Sequence, residues 1–293
     1  MFTIHYASGT LKRFANLIAI LLIFFYGQTA SSKSANPISH SFGDSTRSHR
    51  NDHPVNSHLE IPGLKHGEKV ITHTGYSFSY NEEHEQANWI AYELTAEETQ
   101  KAFERTNKFI PDPSVTTGSA EDDDYRGSGY DRGHLAPAAD MGWSQKSMEE
   151  SFYFSNMSPQ VPSFNRGIWK KLEEQVRIWG RLYDGIYIVT GPVLTSILPK
   201  IGPNGVSVPE LYYKAILDYN NGRMEGIGFL LPNAASSENL QHFAVSIDQL
   251  EQITGIDFFS HLTDADEKVI EQKLCVPCWE WKPQKSSKKR TGP

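Results

Sequence analysis

Beyond about residue 60 the chain alternates short apolar runs with polar, Gly- and Pro-containing breaks, whereas the residues before that point fall into two blocks without such a pattern. In the first block an apolar run from Phe14 to Tyr26, interrupted by Asn16, follows Lys12 and Arg13 and precedes Gly27, Ala30, Ser31 and Ser32. This basic, apolar, small-residue order predicts a secretory signal peptide over residues 1–30. The run is shorter than the roughly 20 residues a spanning helix needs, and it is neither amphipathic nor Arg-rich as a mitochondrial transit peptide would be. The expectation is cleavage near Ala30 to Ala35, a secreted or periplasmic chain, and no stable membrane association afterwards. Residues 31–60, rich in Ser, His and Asn, read as a disordered linker.

From residue 61 the periodicities become readable. Lys69–Tyr80 and Trp89–Leu94 are strand-like, and a helix is expected after Thr95, which stands three residues ahead of Glu98 as in a capping box. Gly118–Gly129 reads as loop. A helix over Gln145–Ser151, a strand over Phe152–Ser155 and a long helix from Asn165 to Leu182 follow. The second half is richer in strand, with apolar and β-branched runs at Ile186–Thr190, Leu211–Asp218 and Met224–Leu231. Two closing helices are expected, Ile247–Thr254 behind Ser246 with Gln249 three residues on, and Ala265–Leu274. Strands and helices do not alternate regularly, so the pattern predicts an α+β fold rather than a doubly wound one. One domain over residues 61–280 and a basic, disordered tail over 281–293 complete the organisation.

Composition narrows this picture. With 293 residues, 38% of them hydrophobic, the chain can bury a sizeable core. Its formal net charge is −7, and removal of the signal segment, which holds two bases and no acids, makes it more negative still. The basic footprint of a static nucleic-acid binder is missing. A hydrolase that turns its substrate over is easier to reconcile with this charge, because local potential matters more than the total. The only basic run, Lys282 to Arg290, reads as a solvated end. Cys275 and Cys278 supply too few ligands for structural zinc and fit a small local disulfide.

The candidate chemistry sits in three strings: Tyr130-Asp131-Arg132-Gly133-His134-Leu135-Ala136-Pro137, Phe154-Ser155-Asn156-Met157-Ser158-Pro159-Gln160, and Phe164-Asn165-Arg166-Gly167-Ile168-Trp169 with Glu173 and Arg177 beyond. Singly, each residue has an ordinary explanation: a hydrogen-bonded His, an N-cap at Asn165, a surface i,i+4 pair at Glu173 and Arg177. On a continuous helix, however, Asn165 shares the apolar stripe of Ile168, Trp169, Leu172, Val176 and Trp179, with Glu173 and Arg177 about 80° and 120° away at its edge. That predicts a partly buried polar cluster and goes no further.

Taken together, the Asp-Arg-Gly-His, Ser-Asn-x-x-Pro-Gln and Asn-x-x-x-Trp-x-x-Leu-Glu strings resemble the DNA/RNA non-specific endonuclease family of the ββα-metal, or His-Me finger, fold. The longer string from Tyr125 to His134 is most similar to its endonuclease G branch. The resemblance implies a central, mainly antiparallel sheet flanked by helices, and hydrolysis of DNA and RNA to 5′-phosphate and 3′-hydroxyl ends. It further implies His134 as general base, Asn165 as the ligand of Mg²⁺, with Mn²⁺ as a substitute, and Glu173 on the metal's water shell. Arg132 matches a position supporting the catalytic site. Asn156, Gln160 and Arg177 match positions supporting site or substrate, as does an upstream arginine that is either Arg105 or Arg126. Asp131 belongs to the motif and reads as a brace for the turn. The implied partners are DNA and RNA, and a homodimer is compatible with this branch. A phosphodiesterase of small nucleotides and a silent nucleic-acid-binding module are the alternatives.

Overall fold

The computed structural model describes residues 58–220 and 222–282. The expected signal segment, residues 31–57 of the linker and residues 283–293 of the tail lie outside the described residues. The chain opens with strands β1 (Ile71–Thr72), β2 (Ser77–Asn81) and β3 (Gln86–Leu94), then a one-turn helix α1 (Asp122–Tyr125) and strand β4 (Asp131–His134). Helix α2 (Gln145–Glu150), strand β5 (Met157–Gln160) and the long helix α3 (Lys170–Leu182) follow. The second half holds β6 (Ile186–Pro192), β7 (Lys200–Ile201), β8 (Val206–Ser207), β9 (Leu211–Asp218), β10 (Glu225–Pro232) and β11 (Ala244–Val245), and closes with helices α4 (Ile247–Thr254) and α5 (Asp264–Gln272).

Seven strands form a sheet in the order β1-β2-β3-β6-β9-β10-β11, with every neighbouring pair antiparallel. Its inner strands are apolar on both faces, because side chains alternate sides along a strand. On β9, Tyr212 and Ile216 enter one core cluster while Tyr213, Ala215 and Leu217 enter the other. Leu172, Val176 and Trp179 of α3 cover the first face, and Ile247, Leu250 and Ile270 of α4 and α5 cover the second. The result is the expected α+β architecture. A separate antiparallel hairpin, β4–β5, pairs His134 with Met157 and Asp131 with Gln160. Ser158 pins this hairpin to the sheet through Gln86 Oε1 at 2.5 Å and the Tyr212 hydroxyl at 2.7 Å.

Several local expectations change. At Thr95 the capping-box bonds do form, Glu98 N to Thr95 Oγ1 and Thr95 N to Glu98 Oε2, yet only turns follow. Thr99 Oγ1 donates back to Ala96 O, a local bond that competes with helix propagation. The acidic run expected as loop forms α1, closed by a reciprocal Glu121–Asp124 box. Residues Phe154–Asn156 make a 3₁₀ turn instead of a strand, with extended backbone starting only at Met157. The long helix is not continuous: Phe164–Trp169 is a π-helical turn in which Gly167 leaves helical dihedrals (φ −109°, ψ −109°), and regular α3 begins at Lys170. Cys275 and Cys278 are joined as a disulfide. Among the described residues no helix is long and apolar enough to cross a membrane.

Candidate active site

His134 ends β4 in an aromatic box. Its ring meets Phe152 edge-on at 4.9 Å and Phe109 at 5.9 Å, and it is 8% exposed. Nε2 has no hydrogen-bond partner among the described residues. Burial, and secondly the charge of Arg105, lower its pKa to about 3. Desolvation disfavours the charged imidazolium, so the imidazole is neutral throughout the neutral range.

Two guanidinium groups flank this box on the same rings. Arg105 lies over Phe152 at 4.8 Å and Arg132 over Phe109 at 4.6 Å. Among the described residues Arg105 otherwise bonds only Asn107 Oδ1, at 2.7 Å, whereas Arg132 is ion-paired with Asp122. Of the two upstream arginines, Arg105 is the one beside the His134 box. Arg126 is exposed and paired with Asp122 and Asp123, on the outer side of α1.

The loop after His134 is held by Asn156. Its Oδ1 accepts from Ala136 N at 2.8 Å, and its Nδ2 donates to Ala136 O at 2.9 Å and Ser151 O at 2.7 Å. Asn156 is fully buried and its amide is fully used, so its expected role in substrate binding is corrected to positioning. Gln160 is also fully buried, lying across Gly133 so closely that a Cβ there would sit 2.2 Å from Gln160 Cδ. It too cannot reach a substrate.

Asn165 meets the hairpin from the π-helical turn. Its Nδ2 donates to Asp131 Oδ2 at 2.9 Å, and Arg166 holds the same carboxylate at 2.6 and 2.8 Å. No cap bond is made by Asn165, and the turn has Ser163 at its N-cap, so the capping reading fails. The stripe argument for Asn165 fails as well, since it presumed a continuous α-helix. What orients the amide is Asp131: with Nδ2 committed there, Oδ1 has no hydrogen-bond partner among the described residues.

Glu173, on the first turn of α3, lies in a charged cluster. Burial raises its pKa to about 7; Lys214, Arg177 and Arg105 pull it down, and Asp140 pushes it up. Arg105 thus acts on both His134 and Glu173, which brings base and carboxylate to the same locality. Arg177 donates to Asp140 Oδ1 at 2.6 Å and Asp140 Oδ2 accepts from Tyr92 at 2.9 Å. Arg177 is thereby tied, through Nη1, to the buried Asp140, and both groups act electrostatically on Glu173.

Lys214 was not expected. Fully buried, it has no hydrogen-bond partner for Nζ among the described residues and lies 5.0 Å from the Trp169 ring centre. Burial lowers its pKa, and the Glu173 and Asp140 carboxylates oppose that lowering. The signal was present in the strand pattern: within Leu211–Asp218, Lys214 falls between Tyr212 and Ile216 on the face that packs on α3.

Asn165 Oδ1 and the Glu173 carboxylate are oxygen donors, a chemistry that fits a hard cation such as Mg²⁺. A cleft of about 1130 Å³ elsewhere, lined by Lys65, His66, His84 and Asn88 among others, contains none of these residues.

Residues 56–265 match the family described as DNA/RNA non-specific endonuclease. The chain is 35% identical over 220 residues to "Endonuclease G, mitochondrial" of Bos taurus, spanning 69% of this chain and 72% of the relative, with the same figures for the Homo sapiens protein of that name. It also resembles a solved structure of an EndoG/EndoGI complex with a TM-score of 0.64 at 33% identity, covering 70% of this chain and 90% of the other. Hairpin, aromatic-boxed histidine and following helix define a nuclease of the ββα-metal class. Within that class the chain belongs to the DNA/RNA non-specific endonuclease family, on its endonuclease G-like branch.

The expectation of a secreted or periplasmic chain is corrected by the same comparison, because both mammalian relatives are named as mitochondrial.

Proposed function

We propose that this nuclease is a Mg²⁺-dependent, sequence-nonspecific endonuclease that hydrolyses DNA and RNA phosphodiesters to 5′-phosphate and 3′-hydroxyl ends. The observation that carries this reading is a neutral, buried His134 whose Nε2 is unpartnered. Such a nitrogen takes the proton of an attacking water. Its low pKa in the free protein keeps it unprotonated, and a phosphate bound at Arg105 offsets the charge that is the second cause of that lowering, so basicity rises when substrate is present. Asp131 keeps the Asn165 amide oxygen facing the site, and Glu173 accepts hydrogen bonds from water there. Asn165 would hold the ion, with Glu173 on its hydration shell; when bound, Mg²⁺ supplies charge that stabilises the phosphate and the leaving 3′ oxygen, and Mn²⁺ substitutes for it.

The test is cleavage of plasmid, RNA and a small chromogenic diester with and without chelator, for the wild type and His134→Ala. Loss of plasmid and RNA cleavage in chelator, and a drop of about 10²–10⁴-fold or more in the folded variant, are expected. Cleavage of the small diester with plasmid and RNA untouched would overturn the polymer substrate. Full activity in chelator would overturn the ion's role.

A further inference from the structure

Five carboxylates outside the nuclease site gather on the face of the sheet opposite α3. Asp248 and Glu251 lie on α4, Glu267 and Glu271 on α5, and Asp257 on the loop between them. Asp248, Glu251 and Glu271 bring one oxygen each to within 4.8 Å of one another, and so do Asp257, Glu267 and Glu271. Glu271 belongs to both groups. It is 7% exposed, and its Oε1 has no hydrogen-bond partner among the described residues.

A buried carboxylate oxygen normally has a donor, because removing it from water without one is costly. Here the neighbouring charges acting on Glu251, Glu267 and Glu271 are all acidic. After burial, this repulsion helps push Glu251 to about 7 and Glu271 to about 8. The like charges also stand at i,i+3 on α4 and i,i+4 on α5, spacings that destabilise each helix. A cation reverses every one of these penalties. The donors are all carboxylate oxygens, which selects a hard ion. Each group brings three carboxylates together, and Glu271 joins the two groups, whereas Mg²⁺ usually takes one or two carboxylates and keeps its waters; the larger, more adaptable shell of Ca²⁺ fits better.

We propose that Asp248, Glu251, Asp257, Glu267 and Glu271 form a calcium site that ties α4, α5 and their connecting loop together. Two bonds set the loop for this role: Phe258 N donates to Glu251 Oε1 at 2.8 Å, leaving the other Glu251 oxygen for the ion, and Gly63 N donates to Asp257 O at 2.7 Å. Gly63 also packs closely on Asp257, since a Cβ there would lie 2.6 Å from Asp257 Oδ2.

Calcium itself is the probe. The full chain, stripped with chelator and dialysed, is melted with and without 10 mM calcium (on the order of 10 to 100 times a dissociation constant in the submillimolar to millimolar range), and binding is measured by calorimetry. A rise in melting temperature of about 3–10 °C is expected for wild type, and it persists in Asn165→Ala, with magnesium giving less than about a third of it. Glu271→Gln, nearly isosteric, melts above wild type in chelator and loses most of the calcium response; Glu251→Gln does the same and serves if the first variant does not fold. The proposal is overturned by no calcium response in wild type, by a response unchanged in both variants, or by an equal magnesium effect. A response lost in Asn165→Ala would place the ion at the nuclease site instead.

Discussion

His134 and Glu173 have exchanged the ionisation behaviour that their residue types suggest. Burial in the Phe109–Phe152 box takes the imidazole down to about 3, while burial on α3 takes the carboxylate up to about 7. The acid limb of activity should then report Glu173. As pH falls through neutrality Glu173 takes up a proton and loses its capacity to accept from water, whereas His134 stays unprotonated until far lower pH. We predict that kcat/KM falls below about pH 7 in wild type and that Glu173→Gln, slower overall, loses this limb. A limb unmoved in Glu173→Gln would return the titration to His134. Lys214 gives a second test. Its ammonium favours the ionised Glu173, so Lys214→Met should shift the limb to higher pH, while a purely structural lysine would change melting temperature alone.

The β4–β5 hairpin carries the site at the level of elements, and its tightest point is Gly133 under Gln160. Because Gln160 is fully buried and cannot swing out, Gly133→Ala forces the strands apart. Overpacking of this kind costs about 1–3 kcal/mol, measurable as a lower denaturation midpoint together with reduced specific activity. Gly133→Ala/Gln160→Ala should recover part of the loss, and simple additivity of the two variants would refute the contact. Elements were legible where side chain and backbone agree, as at Ser246, whose bond with Gln249 N accompanies an apolar stripe and gives helix Ile247–Thr254. Thr95 presents the same signal without the stripe, and the helix does not form. The π-helical turn at Asn165 was not legible, because its cause is tertiary: Asp131, 34 residues earlier, holds both Asn165 and Arg166. The motif strings put forward His134, Asn165 and Glu173. They did not separate residues that face substrate from those that brace the site, because the saturation of the Asn156 amide and the Asp140 partner of Arg177 are contacts made only by the folded chain. Lys214 was readable from strand alternation alone, as a charge on an inward position.

At the scale of the whole molecule an acidic chain, of net charge −7, acts on polyanions. The reconciliation is a small local footprint. Arg105 stands beside His134 without a carboxylate ion pair among the described residues, while Arg132, Arg126 and Arg166 are each paired with Asp122, Asp123 or Asp131. Few phosphate contacts imply little counterion release, at about 0.9 per neutralised phosphate on duplex DNA. With Mg²⁺ held fixed, the logarithm of kcat/KM should therefore fall against the logarithm of salt with a slope of only about −1 to −3, and without discrete fragments from mixed-sequence duplex. A slope steeper than about −5 would require a broad basic surface that these pairings do not leave free. Asp122 provides the decisive variant, because it competes with phosphate for Arg132 from the exposed end of α1. In Asp122→Asn the guanidinium is released to the substrate, so KM should fall and the slope steepen by about one. If KM and slope are both unchanged, Arg132 does not touch phosphate, and its place over the Phe109 ring serves only to close the box around His134.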